Sequence, residues 1–410
     1  MTFLYIDPGT GSMLFSLAIG VVTALVFALR ALAVKVRFVL SGGKAKKICA
    51  DKIPFVIYSD HKRYWNVFEP ICDEFERRKI PLVYYTQSAD DPALSKNYDF
   101  VKAEFIGEGN KGFVRMNMLN AGTVVSTTPG LDVLQWKRSK NVGSYVHVPH
   151  AVDDRTGCRM FGLDYYDAVV LTGEYQKEDI LEIERLRNLV PKKLVVVGST
   201  YMDANFEHLK NLPSHETNVN YPTVLLAPSW GGVAILSRFG ESLLDALVKT
   251  KFKIIVRPHP QSKTSEKDLL ARLESRYKDA ENLSWNYDND NLAVMNESDI
   301  LITDFSGIIF DYAFLLNRPL IYADTEFDNS VYDAAWIDRP QWRFRILPTI
   351  GIPLRKEDFP NMKEVIEKAL LDKNLENGRK MAKLEAWQNQ GKSAESTVDF
   401  LLTFSKGGNL

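Results

Sequence analysis

The stretch Ser298-Asp-Ile-Leu-Ile-Thr-Asp-Phe-Ser-Gly-Ile-Ile-Phe-Asp311 carries the pattern around which this chain is organised. Ile300 to Ile302 form a short apolar run, which predicts a buried parallel strand. Ser306 is suited to cap a helix that starts at Gly307. Apolar residues then recur at helical spacing until Arg318-Pro319, so this stretch predicts a strand, a polar turn and a helix.

A strand followed by a polar turn and a helix start is a potential anion site. Free N–H groups and the positive end of the helix dipole face whatever lies beyond the strand. Gly307 would let a phosphate approach the backbone. The same residues also fit an ordinary strand-to-helix turn with a serine cap, and this stretch by itself leaves both interpretations open.

Length and composition indicate a folded protein of two domains. The chain has 410 residues, of which 45% are hydrophobic and 25% charged, and this is too long for one compact core. The net charge of −1 makes nucleic acid an unexpected partner. Cys49, Cys72 and Cys158 are scattered, which predicts no disulfide framework and fits a reducing compartment.

The N-terminal region predicts a membrane anchor over residues 1–40. The segment 12–29 has no charged residue, and the apolar stretch reaches Val34 if Arg30 is tolerated, close to the ~20 residues that a membrane span requires. Basic residues follow this segment, which predicts a cytoplasmic location for the remainder at the cell membrane and argues against a cleaved signal peptide. A shallow or re-entrant anchor stays open, and residues 7–12 have no assigned role.

From Phe55 onward, predicted strands alternate with predicted helices. This alternation indicates an α/β fold with parallel sheets and crossover connections. The polar stretch from Asn211 to Tyr221 is typical of a domain linker, after which the alternation restarts. We therefore predict Rossmann-like domains over 41–215 and 216–375, and C-terminal helix over 376–410. After Tyr322 the chain is predicted to be irregular until a helix at Met362–Leu371, and a single helix is predicted over Asn377–Leu402.

Unusual polar residues follow several of the predicted strands. Ligands of open α/β sheets bind at the carboxyl ends of the strands, so two such sheets are expected to direct these residues into one cleft. This convergence favours a phosphate site. The clusters are His147 with His150, Ser229-Trp-Gly231-Gly232, Arg257-Pro-His259-Pro260, and Thr303-Asp304-Phe-Ser306-Gly307.

His150 is the candidate general base. An imidazole can take a proton from a hydroxyl near neutral pH, and Asp153 or Asp154 could orient it. A structural role for His150 stays open, and His147 is a second candidate. Both histidines with Asp153 and Asp154 could also ligate a metal, but their spacing matches no defined metal site, so we predict none.

Arg257 and His259 are candidates for binding a diphosphate. Two prolines hold this turn rigid, and its cationic groups could stabilise a departing phosphate. Asp304 and Asp311 could hydrogen-bond a ribose or acceptor hydroxyl, and Asp311, one helical turn after Gly307, could instead cap and pair locally. Further candidates for the phosphate site are Ser229, Gly231, Thr303, Ser306 and Gly307.

Three motifs in this order resemble the family of CDP-glycerol glycerophosphotransferases, which make polymers of the teichoic-acid type: His150 after a strand, Arg257-Pro-His259-Pro, and Ser298-Asp299 with Thr303-Asp304-Phe-Ser306-Gly307 and Asp311. The resemblance covers about residues 146–322 and implies a GT-B architecture, in which two Rossmann-like domains face a cleft and the C-terminal helix crosses back. It also implies a membrane-associated enzyme that acts from the cytoplasm. Two positions depart from the family: His150-Ala151-Val152 stands where His-Gly-Thr is usual, and Ser306-Gly307 stands where two serines are usual.

The resulting hypothesis is an enzyme that moves glycerol phosphate or another polyol phosphate from a CDP-linked donor to a glycan or lipid-linked acceptor. His150 and His259 would be its catalytic residues, and no cofactor is expected. A nucleotide-sugar glycosyltransferase of the same fold is the alternative enzyme. An inactive, membrane-tethered binding module is the alternative from another class.

Overall fold

Two parallel sheets lie at the centre of the computed structural model, which describes residues 52–288, 290–323 and 327–407. Their strand orders are β3-β2-β1-β4-β5-β6-β7 and β10-β9-β8-β11-β12-β13. The first sheet contains β1 (Ile53–Ser59), β2 (Leu82–Thr86), β3 (Val101–Phe105), β4 (Ala121–Ser126), β5 (Val142–His147), β6 (Ala168–Leu171) and β7 (Lys193–Val196). The second contains β8 (Thr223–Leu226), β9 (Lys253–Val256), β10 (Leu283–Trp285), β11 (Ile300–Thr303), β12 (Leu320–Ala323) and β13 (Ile352–Leu354).

Helices form most of the connections between these strands, because parallel pairing needs a crossover connection. Those associated with the first sheet are α1 (Trp65–Arg77), α2 (Asn110–Asn117), α3 (Gln176–Arg187) and α4 (Thr200–Lys210). Those in the second half are α5 (Ile235–Lys249), α6 (Ser262–Ser265), α7 (Lys267–Arg276), α8 (Leu292–Glu297), α9 (Ile308–Asp311), α10 (Trp342–Ile350), α11 (Met362–Leu371), α12 (Lys373–Ala386) and α13 (Ser393–Gly407). We call the first sheet with α1–α4 the N-terminal lobe, and the second sheet with α5–α12 the C-terminal lobe.

The stretch from Ser298 to Asp311 contains the predicted buried parallel strand, which is β11. All four residues of β11 are buried, because helices cover both faces of the sheet. Ile300 and Ile302 pack in one cluster with Leu243 and Leu247 of α5. Leu301, on the opposite face, packs in another cluster with Phe310. The continuous apolar run in the sequence therefore reflects a strand that is buried on two sides.

Both sheets reverse their strand order at an equivalent place. The reversal lies between β1 and β4 in the first sheet and between β8 and β11 in the second. In open α/β sheets the crevice beyond the carboxyl ends of such strands is where ligands bind. The predicted α/β fold with two Rossmann-like parallel sheets is thus confirmed, and each reversal marks a position for a site.

The C-terminal region differs from the prediction at two places. The segment after Tyr322 contains α10 and β13, where we expected irregular structure. The single helix predicted over Asn377–Leu402 was wrong, because two helices, α12 and α13, occupy this region. The carboxylate of Asp203 accepts hydrogen bonds from the Trp387 indole and from two backbone N–H groups, of Gly391 and Ser393, and these contacts stabilise the break.

The start of the helix after β11 also differs. Ser306 makes no side-chain cap; its carbonyl accepts a 3.3 Å hydrogen bond from the N–H of Ile309, and Gly307 precedes the first helical residue. After α9 the chain continues into a π-helical turn over Tyr312–Leu316. The backbone rather than the serine hydroxyl therefore forms this helix start, and the predicted serine cap was wrong.

The last helix packs on the N-terminal lobe. Val398 and Leu401 of α13 are fully buried in a cluster with Phe68 and Cys72 of α1. Arg78 and Asp399 form an ion pair across the same contact at 2.5 Å. The last helix thereby stabilises the N-terminal lobe.

The predicted membrane anchor over residues 1–40 lies outside the described residues. Within the part of the chain that the structure describes, no helix is both long enough and apolar enough to cross a bilayer. The anchor stays a prediction, as do the predicted domain boundaries.

Candidate active site

The predicted polar clusters lie where the strands of the two sheets end. His150 follows β5, Ser229 follows β8, His259 follows β9 and Asp304 follows β11. β8 and β11 flank the reversal of the second sheet, so their loops border its crevice. The architecture therefore explains why these chemically distinctive residues recur after strands in the sequence.

His150 is held by contacts with two neighbouring loops. Its Nδ1 lies 3.0 Å from the hydroxyl oxygen of Thr127, which follows β4. The ring of Tyr64, after β1, packs on the imidazole with centroids 5.0 Å apart. Because Nδ1 faces Thr127, Nε2 is the nitrogen that remains for a substrate, and it can accept a proton when Nδ1–H donates to the hydroxyl.

Burial, with Arg155 and Arg63 nearby, lowers the pKa of His150 to about 4. The imidazole is therefore neutral at pH 7 and has a free lone pair. A general base must be unprotonated in its resting state, so this environment suits the predicted role. The same low pKa limits its basicity, and proton transfer must then be concerted with attack of the acceptor.

The low pKa of His150 predicts an unusual pH profile. We expect this residue to contribute no loss of kcat/KM between pH 7 and pH 5, and a loss only as the pH approaches 4. The free energy of unfolding begins to fall at a higher pH than kcat/KM does. The histidine pKa of the unfolded chain is near 6.5, so the unfolded chain binds the proton before the folded chain. The contribution of His150 to stability is therefore lost as the pH falls from about 6.5 to about 4. Initial rates after a rapid pH jump, with circular dichroism as a folding control, measure the profile. An acid limb at pH 6.5 that persists while the protein stays folded would contradict it.

His147 occupies a different environment from His150. It is fully buried in β5, where its Nε2 lies 3.3 Å from the Thr127 carbonyl and its ring packs edge-on against Tyr166. Burial lowers the pKa of His147 well below its ordinary value, so the ring is neutral. This placement favours packing of the sheet end as its role and leaves His150 as the better candidate base.

The loop after β1 contributes residues that the sequence analysis did not select. Arg63 lies over the Tyr64 ring, 5.0 Å from its centroid, and is exposed. Its charge lowers the pKa of His150 and also that of His259, so it lies near both histidines. Asp60 has a buried carboxylate oxygen without a partner among the described residues. In the sequence, Asp60 and Arg63 could have been selected because they belong to a polar run directly after the first strand, where the strand order of the sheet reverses.

Asp304 organises the loops around the second crevice. Its carboxylate is buried and accepts backbone hydrogen bonds from Ser229 at 3.0 Å, Ile235 at 2.9 Å and Ser306 at 3.2 Å. Thr303 is also buried, and its hydroxyl donates to the Ala227 carbonyl at 2.6 Å. Both side chains were predicted to contact a donor, but their contacts favour positioning of the loops that would do so.

Ser229 and Gly231, after β8, differ in what they can offer to a ligand. The Ser229 hydroxyl is buried and has no partner among the described residues. Gly231 has a φ of 96°, which favours glycine, and its N–H donates to Glu266 at 3.2 Å. The Ser229 hydroxyl therefore retains unused hydrogen-bonding capacity, whereas Gly231 shapes the turn.

His259 presents a defined hydrogen-bond donor. Its Nδ1 accepts the backbone N–H of Gln261 at 3.1 Å, so in the neutral ring the proton resides on Nε2. Burial lowers the pKa of His259, while Asp304 and Glu266 oppose this shift. A half-buried imidazole with a fixed Nε2–H is suited to donate to a phosphate oxygen.

Arg257 supplies positive charge at the end of β9. Its guanidinium is buried and donates to the side-chain oxygens of Asn286 and Asn291, both neutral groups. Burial lowers the pKa of Arg257, while the carboxylates of Asp288 and Asp290 oppose this shift. A cation whose direct partners are neutral attracts an anion strongly in a half-buried cleft.

Ser306 and Gly307 form the turn between β11 and α9. Gly307 is exposed, has a φ of −61°, and has open space where a Cβ would stand. Its backbone conformation is therefore open to any L-residue. The absence of a side chain at Gly307 is a chemical difference from the double-serine pattern rather than a requirement of the fold.

Replacing Gly307 by serine tests what this missing hydroxyl means. We expect Gly307→Ser to fold with an unchanged melting temperature, because the side chain enters open space at an ordinary φ. If the loop binds the donor phosphates, the added hydroxyl should alter affinity for CDP-linked donors by a few-fold, measured by isothermal titration. Gly231→Ser is the matched control, since its positive φ predicts lower stability. Equal destabilisation by both changes would contradict the expectation.

The acidic candidates have separate partners. Asp153 pairs with Arg155 at 2.9 Å, and Asp154 accepts backbone hydrogen bonds from Trp342 and Arg343. Asp311 accepts from the Tyr201 hydroxyl at 2.9 Å, and burial raises its pKa to about 7. Within the described residues, no group of three or more histidine, cysteine or acidic side chains is placed to hold a metal ion.

Comparison with solved structures shows the fold. The wall teichoic acid polymerase TagF aligns with a TM-score of 0.55 and 16% identity over 94% of this chain and 99% of that one. UDP-GlcNAc 2-epimerase from Neisseria meningitidis aligns with a TM-score of 0.54 and 14% identity over 86% and 100%. The corresponding epimerase from Methanocaldococcus jannaschii aligns with a TM-score of 0.53 and 16% identity, also over 86% and 100%. These alignments confirm a GT-B-like arrangement.

Comparison with protein families is more specific. No curated protein sequence matches this chain. The family model described as CDP-Glycerol:Poly(glycerophosphate) glycerophosphotransferase matches residues 175–335, which include the loops of Arg257, His259 and Ser306 but not His150. The predicted resemblance is therefore confirmed: over residues 175–335 this chain is similar to the CDP-glycerol:poly(glycerophosphate) glycerophosphotransferases.

Proposed function

We propose that this protein is a membrane-associated transferase that moves glycerol phosphate or another polyol phosphate from a CDP-linked donor to an acceptor hydroxyl. The acceptor would be a cell-surface glycan or a lipid-linked precursor, and CMP would be released. The observation that carries the proposal is the family match across the Arg257, His259 and Ser306 loops. The neutral His150 in the N-terminal lobe supplies the base that such a transfer requires.

The proposed reaction is an in-line phosphoryl substitution. The acceptor oxygen attacks the phosphorus that carries the polyol, its proton passes to Nε2 of His150, and the bond from that phosphorus to the oxygen of CMP breaks. Nε2–H of His259 and the charge of Arg257 would stabilise the negative charge that grows on CMP. These groups are oriented before the substrate binds, so little reorganisation is needed during the reaction.

The remaining parts of the proposal concern location and acceptor. The apolar segment 12–34 would anchor the chain in the cell membrane, with the catalytic part on the cytoplasmic side. The charge of Arg63 lowers the pKa of both histidines, and it would interact with anionic groups of donor or acceptor. A membrane location would bring a lipid-linked acceptor to the crevice.

Nucleotide release distinguishes the proposed donors. Purified protein is incubated with CDP-glycerol, CDP-ribitol, or a UDP- or GDP-sugar, each with and without a glycan acceptor, and the released nucleotide is quantified. Acceptor-dependent CMP release from a CDP-polyol is the expected result. UDP or GDP release would instead establish a nucleotide-sugar glycosyltransferase. Absence of any release, together with an intact cellular phenotype of His150→Ala and His259→Ala, would establish a binding module.

A further inference from the structure

Arg343 joins the loop of the candidate base to the loop of the candidate phosphate site. It is the second residue of α10, in a segment whose sequence predicted irregular structure. One Nη donates to the carbonyl of Phe305, which stands between Asp304 and Ser306. The other Nη lies 3.5 Å from a carboxylate oxygen of Asp153, three residues after His150.

The backbone around Arg343 makes a second connection between the same regions. Asp154 follows Asp153 and accepts the N–H of Trp342 at 2.6 Å and the N–H of Arg343 at 2.9 Å. These are N–H groups that the first turn of α10 cannot satisfy by itself. A carboxylate from the N-terminal lobe therefore fixes the start of a helix in the C-terminal lobe.

Packing restrains the arginine from the sides. The centroid of the Trp342 ring lies 4.4 Å from that of Tyr175 in the N-terminal lobe and 5.4 Å from that of Phe310 in α9. The guanidinium of Arg343 lies over the rings of Phe327 and Phe344, and its side chain is only 12% exposed. An arginine that is this enclosed has few alternative rotamers. Its two polar contacts therefore fix the distance between the Asp153 carboxylate and the Phe305 carbonyl.

We infer that Arg343 is a positioning residue that sets the distance between the acceptor-side loop, residues 150–155, and the phosphate loop, residues 303–307. The inference rests on the proposed function, because the distance matters only if one reaction uses both loops. A planar guanidinium can donate in two directions at once, which the single ammonium of lysine does less well. Displacement of reacting groups by about 1 Å can lower a rate by about 10²-fold.

The chain offers a matched control on the same helix. Arg345 is exposed, two residues from Arg343, and removal of its guanidinium leaves both loops untouched. The variants are Arg343→Gln, Arg343→Lys and Arg345→Gln. We expect Arg343→Gln to lower kcat for CMP release by about 10- to 100-fold, while the dissociation constant for CMP stays within about two-fold of the parent. Arg343→Lys should recover part of the rate, and Arg345→Gln should behave as the parent.

A double-mutant comparison tests the contact itself. If Arg343 acts through Asp153, the loss in Arg343→Gln/Asp153→Asn should be smaller than the product of the two single losses. A parental kcat in Arg343→Gln, multiplicative losses, or a parallel loss of CMP affinity and melting temperature would each overturn the inference.

Hydrogen exchange separates this inference from the proposed function. Arg343→Gln should increase amide exchange both in residues 151–156 and in residues 304–307, whereas Arg345→Gln should change neither. Unchanged exchange in these two segments overturns the positioning role whether or not the parent protein releases CMP. If exchange changes as expected but the parent releases no nucleotide from any CDP-polyol, the proposed function fails and the coupling of the loops stands.

Discussion

Replacing His150 by alanine is expected to reduce acceptor-dependent CMP release by about 10²- to 10⁴-fold, the range typical of general base catalysis. The neutral imidazole is the group that would take the acceptor proton, and its Nε2 faces away from the Thr127 contact. Binding of CMP should remain within about two-fold of the parent, because His259, Arg257 and Ser306 belong to the other lobe. Rates from CDP-glycerol and CDP-ribitol, with CMP titration calorimetry, measure both quantities.

His208→Ala is the matched control for His150→Ala. His208 is an exposed histidine of α4, so its removal leaves both crevices unchanged. Loss of CMP affinity in His150→Ala, in proportion to the loss of rate, would show that this histidine binds the donor. Retention of the full rate would exclude it as the base.

Replacing Asp304 by asparagine is expected to weaken donor binding and to destabilise the fold. The carboxylate accepts three backbone N–H groups, and an amide must turn its NH₂ toward at least one of them. A buried donor without an acceptor costs about 1–3 kcal/mol. The loops carrying Ser229 and Ser306 should lose their fixed positions, so the affinity for CDP-linked donors should fall by at least about ten-fold.

Asp299 provides a control at the other end of the same strand. Its buried carboxylate likewise accepts three donors: the Nε2 of His215 at 2.8 Å, and the backbone N–H groups of Asn218 at 3.1 Å and Thr223 at 2.7 Å. Asp299→Asn should therefore lower stability by a similar amount without affecting donor affinity. Chemical denaturation and nucleotide titration of the two variants separate the effects. Equal loss of donor affinity would mean that Asp304 acts only through general stability.

Much of the site's location could be inferred from local sequence. The apolar run of β11 and the helical spacing after it identify a strand and a helix, because burial on two faces leaves a continuous hydrophobic pattern. Arg257, His259 and Ser306 could be selected because distinctive polar residues after parallel strands share one edge of a sheet. The motif resemblance also rested on these loops, and the family match covers them.

Individual roles depended on contacts between distant parts of the chain. Asp304 and Thr303 have the residue types of ligand-binding groups, yet their partners lie at Ser229, Ile235 and Ala227, about seventy residues earlier. Such partners become visible only when β8 and β11 pair. Arg63 was missed for the same reason, because its effect is on the pKa of two histidines that belong to different lobes, His150 and His259.

Local sequence patterns were enough to predict the alternation of strands and helices, the two parallel sheets and the loops that border the crevices. These features depend on local periodicity and on which residues can be buried. The folded structure was needed to identify which side chains in those loops lack a protein partner, where α10 forms, and how Arg343 connects Asp153 with Phe305. The physical reason is that hydrogen-bond satisfaction is a property of partners brought together by folding, and spacing along the chain does not specify them.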